Sequence, residues 1–74
     1  MVCKRRILRI GTWGDDVVVL QNILASLGYY TGSLDGIFGP LTRQAVMRLQ
    51  ADNGLIADGI VGPLTYDLID QLLP

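Results

Sequence analysis

The sequence predicts an all-α fold, a compact three-helix bundle with two repeated loop-helix cassettes. Three observations carry this expectation. The octet Asp35-Gly36-Ile37-Phe38-Gly39-Pro40-Leu41-Thr42 recurs as Asp58-Gly59-Ile60-Val61-Gly62-Pro63-Leu64-Thr65, identical at seven of eight positions and offset by 23 residues. Beyond each octet the apolar residues keep the spacing of one helical face, with Ala45, Val46 and Leu49 answered by Leu68, Ile69 and Leu72. At 74 residues the chain has room for one domain only.

Taken in order, residues 7–10 form a short extended lead. A first helix is expected over residues 15–27, with Asp15 and Asp16 set against the positive end of its dipole. Its apolar stripe is Val17, Leu20, Ile23, Leu24 and Leu27, and Gly28 is its stop signal. Residues 28–38 are the longest irregular stretch. Within the octet, Asp-Gly is a turn pair in which the carboxylate accepts backbone N–H bonds and glycine takes positive φ. Ile37 and Phe38, and likewise Ile60 and Val61, are expected to dip inward. Gly-Pro then opens a helix, because proline at the first helical position lacks an N–H that would have no partner there. This places a second helix at residues 40–52, ending at Asn53-Gly54, and a third at residues 63–72. The threonine of each cassette is expected to bond a neighbouring backbone group or the corner aspartate. A weaker echo links Val17 and Leu20-Gln21 to Val46 and Leu49-Gln50.

The composition is half apolar, enough for a dense core. No run approaches the roughly 20 apolar residues that span a bilayer, so no membrane span is expected. Net charge is −1, but Lys4, Arg5, Arg6 and Arg9 supply four of the six basic residues. From Ile10 onward only Arg43 and Arg48 oppose seven aspartates. That balance suits no phosphate-tracking surface, and no nucleic acid is expected as a partner. Residues 1–6 are read as a solvated basic tail and residues 7–74 as the domain. No apolar segment of a signal peptide follows Arg6, so any export signal is expected elsewhere in a longer parent chain. Cys3, the sole cysteine, forms no internal disulfide and is read as a free terminal thiol.

Catalytic arrangements find few candidates. The chain has no histidine, which removes Ser-His and Cys-His nucleophiles and His-based zinc sites. All seven acidic residues are aspartates. Asp35 and Asp58 are the tempting glycosidase pair, but both precede glycine in duplicate turns, a structural use. Calcium is disfavoured because the residues after each Asp-Gly offer no side-chain oxygen at alternate positions. No cofactor or metal is expected. A binding surface remains, and the ligand-contacting candidates are Tyr29, Tyr30, Asp35, Gly36, Phe38 and Arg43. Aromatic rings beside polar groups suit sugar faces, and Arg43 suits a stem-peptide carboxylate. Phe38 also aligns with Val61, and one of Tyr29 and Tyr30 is expected beneath the loop, so core roles stand beside the binding ones.

The series Gly11-x-x-Gly14-Asp15-x-Val17-x-x-Leu20-Gln21, Leu27-Gly28-Tyr29, the two octets, Leu49-Gln50 and Asn53-Gly54-Leu55 resembles the type-1 peptidoglycan-binding domain. The resemblance runs from about Leu8 to Leu72. It departs at Tyr66, where many members carry tryptophan, and at Leu49, where many carry phenylalanine. It implies a non-catalytic three-helix module that targets a covalently linked cell-wall hydrolase, such as an amidase or spore-cortex-lytic enzyme, to peptidoglycan outside the cytoplasm. Its ligand would be a glycan or stem-peptide segment in a groove beside the Tyr29–Phe38 loop and the second helix. A related fold serves as a metalloprotease prodomain ending in a zinc-blocking cysteine, but Cys3 lies at the wrong end for that role. Two rival readings stay open. One is a protein-interaction or regulatory domain packing on its own enzyme, whose mark would be exposed Val18, Val19, Leu41 or Met47. The other is a hydrolase fragment with activity of its own.

Overall fold

The computed structural model describes residues 5–73. Helix α1 spans Asp15–Ser26, α2 Pro40–Asp52 and α3 Pro63–Leu72, and no strand occurs among the described residues. The three helices fill a body of 28 × 27 × 23 Å. Cys3 and Lys4 lie outside the described residues, and with them the reading of a free thiol.

Helices α2 and α3 begin as the repeated octet dictates, with Gly39 and Gly62 extended and Pro40 and Pro63 as the first helical residues. Helices α1 and α2 both end in a Schellman motif. After α1, Gly28 (φ +88°) donates its N–H to Ala25 and Tyr29 donates to Leu24. After α2, Gly54 (φ +79°) donates to Ala51 and Leu55 donates to Gln50.

The extended lead is stitched across both cassettes. Leu8 exchanges backbone hydrogen bonds with Val61 at 3.2 and 2.8 Å. Further on, Gly11 donates to Phe38, Phe38 donates to Thr12, and Gly14 donates to Gly36. The core gathers Leu8, Val17, Leu20 and Leu24 with Tyr30, Phe38, Ala45, Val46, Leu49, Val61 and Ile69. Ile23, Leu27, Tyr29, Tyr66 and Leu68 pack at its margin.

Two sequence expectations change. Of each Ile-Phe/Val pair only the second residue turns inward: Phe38 and Val61 are buried, while Ile37 is 58% exposed and Ile60 half-buried. The corner alternates its side chains, so consecutive residues face opposite ways. Arg5 and Arg6, read as part of a solvated tail, are tied to the body. Arg5 pairs with Asp70 at 2.9 Å and its guanidinium lies 4.8 Å from the centre of the Tyr66 ring. Arg6 pairs with Asp16 at 2.6 Å and donates to the Trp13 carbonyl.

Candidate functional site

Two buried glutamines set the geometry of everything around the Asp-Gly corners. Gln21 on α1 places Nε2 at 3.0 Å from Asp35 Oδ1, 3.1 Å from the Ile37 carbonyl and 3.0 Å from Thr42 Oγ1. Its Oε1 accepts the Gly36 N–H at 3.0 Å. Gln50 on α2 repeats this on Asp58, Ile60, Thr65 and Gly59 at 3.0, 3.0, 3.1 and 3.0 Å. In each corner the aspartate also accepts the N–H two residues on, from Ile37 or Ile60. These N–H groups hold the Asp35 and Asp58 carboxyls below the usual carboxylate range, and the glutamine amides push the same way.

Against this frame the six residues expected to touch ligand separate. Tyr30 is 7% exposed, donates to the Ser33 carbonyl at 2.6 Å and accepts from Gln21. Phe38 is 1% exposed and Gly36 is buried. Those three are parts of the core and its clasp, and little of their surface faces solvent. Tyr29 sits half-buried at the far end of α2, donating to Asp52 at 2.9 Å, and that carboxylate raises the phenol's pKa. Arg43 does not face the Tyr29–Phe38 loop. Its side chain lies over the second corner, where a Cβ at Gly59 would come within 2.8 Å of Arg43 Cγ. Asp35 is exposed at the first corner. The six therefore form no single groove.

The concave surface lies elsewhere. An open cleft of about 620 Å³ runs between α1 and α3, with Leu8, Val19, Leu20, Ile23 and Ile69 beneath and the Arg5–Asp70 and Arg6–Asp16 pairs along its rim. Tyr66 stands in its wall and donates to the Arg6 carbonyl at 2.6 Å. Burial raises the Tyr66 pKa, with Asp16 adding to it. A second open cleft, about 500 Å³, lies at the first corner and is lined by Trp13, Val18 and Ile37 together with Asp15 and Asp35. Trp13, absent from the ligand candidates drawn from the sequence, is 73% exposed. The signal available was its setting between Gly11-Thr12 and Gly14, where no helical stripe claims it. No group of three or more metal-ligating side chains occurs among the described residues.

Residues 14–69 match the family model described as a putative peptidoglycan binding domain. The N-acetylmuramoyl-L-alanine amidase CwlM of Mycobacterium tuberculosis is 55% identical over 53 residues, 72% of this chain and 13% of that protein. A spore cortex-lytic enzyme of Halalkalibacterium halodurans is 43% identical over 58 residues, 78% of this chain and 18% of that enzyme. The chain thus spans under a fifth of the length of these relatives. Among solved structures, the SleB N-terminal domain superposes with a TM-score of 0.90 at 34% identity, covering 96% of this chain and 97% of that one. With the match running from the start of α1 to Ile69 and the whole fold shared, the chain belongs to the peptidoglycan-binding domain family.

Proposed function

We propose that this chain is a non-catalytic peptidoglycan-binding module that holds a linked cell-wall hydrolase on its polymeric substrate outside the cytoplasm. The observation that carries the reading is the family match over residues 14–69, together with relatives that are cell-wall enzymes several times longer than the chain. The chemistry supports it. A glycosidase of two aspartates needs one carboxyl raised in pKa to act as acid, and Asp35 and Asp58 are both lowered and locked in identical corners. Binding falls to the exposed clefts rather than to Tyr30 and Phe38. The α1–α3 cleft suits a stem peptide, since its apolar floor fits alanine methyl groups and its rim carries both charge signs. Affinity of one such site is modest, and function comes from tethering, which presents substrate to the linked enzyme at about millimolar effective concentration.

Co-sedimentation with insoluble peptidoglycan tests the reading. Wild-type protein is expected in the pellet, and Val19→Asp, on the exposed face of α1, is expected to weaken retention. Wild-type protein left entirely in the supernatant defeats the assignment. The rival in which the domain packs on its own enzyme is favoured by one observation, the exposed apolar residues Val19, Leu41, Ile56 and Leu64. Equal catalysis by the linked enzyme on soluble substrate, with and without the module, removes that rival.

A further inference from the structure

Trp13 is the only tryptophan in the chain, and it is the largest side chain left in solvent. Its backbone, by contrast, is fixed on every side. Arg6 donates to its carbonyl at 2.6 Å, Thr12 accepts from Phe38 at 2.8 Å, and Gly14 donates to Gly36 at 2.9 Å. Ile37, opposite Trp13 in an antiparallel bridge, is turned outward beside it. A rigid apolar pair is thus presented to solvent at the mouth of the 500 Å³ cleft, where it adds nothing to the core.

The second corner has the same clasp and a smaller cleft of about 240 Å³ lined by Ile56, Ile60 and Leu64, but no aromatic ring. Gln21 and Gln50 are 29 residues apart, and the same offset carries Gly14 onto Arg43 and Val18 onto Met47. A Cβ at Gly59 would meet Arg43 Cγ at 2.8 Å and Met47 Cγ at 3.3 Å, so these side chains lie across the second corner. At the first corner Val18 lies over Gly36 and the Arg6 guanidinium over Gly14, and Trp13 and Ile37 stay exposed beside them. Polar groups complete the surface. Asp35 spends Oδ1 on Ile37 and Gln21, while Oδ2 has no partner among the described residues. The exposed Asp15 carboxylate likewise has none among them.

The geometry points to a glycan shelf at the first corner, in which Trp13 and Ile37 receive the C–H face of an uncharged N-acetylated sugar while Asp15 and Asp35 accept hydrogen bonds from its hydroxyl and amide groups. An indole offers the broad apolar plane that a sugar face needs, and carboxylates take sugar donors. The two carboxylates, neither ion-paired among the described residues, also repel the carboxylates of a stem peptide, so the glycan strand is the part of the polymer this shelf takes. Arg6, whose guanidinium lies against Gly14, has its charge paired with Asp16. The inference rests on the peptidoglycan reading and adds to the stem-peptide cleft between α1 and α3 a separate contact for the glycan.

Because Trp13 is the sole tryptophan, its fluorescence reads the shelf directly. Titration of the wild-type protein with a soluble β-1,4-linked N-acetylglucosamine oligomer is expected to shift the emission to the blue with saturation, and to perturb the Gly14, Gly36 and Ile37 amide resonances. Trp13→Ala is expected to leave the melting temperature unchanged and to weaken retention on insoluble peptidoglycan by about three- to tenfold, the range of an aromatic stacking contact. Trp13→Phe should recover part of that loss. Retention by wild type with no fluorescence shift at millimolar oligomer, and equal retention of Trp13→Ala, overturns the shelf and leaves the peptidoglycan reading standing. A saturable shift without any retention keeps the shelf as an oligosaccharide site and defeats the peptidoglycan reading. Self-association through Trp13, seen as a concentration-dependent sedimentation coefficient that Trp13→Ala abolishes, assigns the surface to a second copy and overturns the proposal.

Discussion

Gln21 and Gln50 stand 29 residues apart and close the same four hydrogen bonds on equivalent atoms of successive corners. Each is buried and each saturates a glycine N–H that no other group reaches. Replacing Gln21 with alanine leaves the Gly36 N–H buried without a partner, which costs about 1–3 kcal/mol before the lost bonds to Asp35 and Thr42 are counted. Thermal unfolding of Gln21→Ala should therefore fall by at least about 5 °C, since a domain this small loses about 4–8 °C per kcal/mol.

Gln21→Glu is a sharper probe. It points a carboxylate at Asp35 Oδ1 and the Ile37 carbonyl, where the amide had donated. Burial and the neighbouring Asp35 raise the folded-state pKa of the new group, so its cost is greatest at neutral pH and shrinks as it protonates. Relative to wild type, the melting temperature of this variant should recover as pH falls from 7 toward 5. A deficit that stays constant over that range refutes the arrangement.

Tyr30→Phe and Phe38→Ala separate the core from the ligand surface. The first removes the hydroxyl that donates to Ser33 and should cost about 1 kcal/mol. The second empties a buried site at about 3–5 kcal/mol, enough to leave so small a domain largely unfolded. Tyr30→Phe is expected to bind peptidoglycan as wild type does at temperatures where it is folded. A selective loss of binding by that variant returns Tyr30 to the ligand site.

Gly36 and Gly59 share φ +74°, which disfavours any side chain, but their surroundings differ. A Cβ at Gly36 meets the Gly14 backbone oxygen at 3.1 Å as well as Val18, whereas at Gly59 it meets the movable chains of Arg43 and Met47. Gly36→Ala should destabilise the fold more than Gly59→Ala, both by more than the roughly 1–2 kcal/mol of the left-handed backbone alone. Chemical denaturation of the two variants orders them.

The corners also set the acid limit. Asp35 and Asp58 are depressed below the unfolded carboxylate value of about 3.9, chiefly by the Ile37 and Ile60 N–H groups, and Arg6 lowers Asp16. Groups with depressed folded-state values add stability that is whole above the unfolded value and lost as pH falls through the folded one. Melting temperature should be flat from about pH 8 to 5, decline below about pH 4, and decline less steeply in Asp35→Asn/Asp58→Asn. The same slope in both proteins places the acid sensitivity elsewhere.

The helices were legible because their punctuation is local. Gly39-Pro40 and Gly62-Pro63 start α2 and α3, and Gly28 and Gly54 end α1 and α2 where the sequence places them. The clasp was not legible as such, although the echo of Leu20-Gln21 in Leu49-Gln50 marked its residues. A polar residue on an apolar stripe shows its purpose only when its partners, 8 to 21 positions away, close around it. The dispersal of the six candidate residues has a related cause. Spacing puts Arg43 on α2, but only the packing of α2 against the next cassette decides that it covers Gly59 rather than approaching Asp35. Tyr30 and Phe38 lie in a loop, where no periodicity separates inward from outward.

The paired clasps run in one direction along the chain: α1 fastens the corner that launches α2, and α2 fastens the corner that launches α3. The residue ten beyond Pro63, where this relay would set its next glutamine, is Leu73. Each clasping helix thus holds the start of its successor, and α3 holds the lead instead, through Asp70 on Arg5 and Tyr66 on the Arg6 carbonyl.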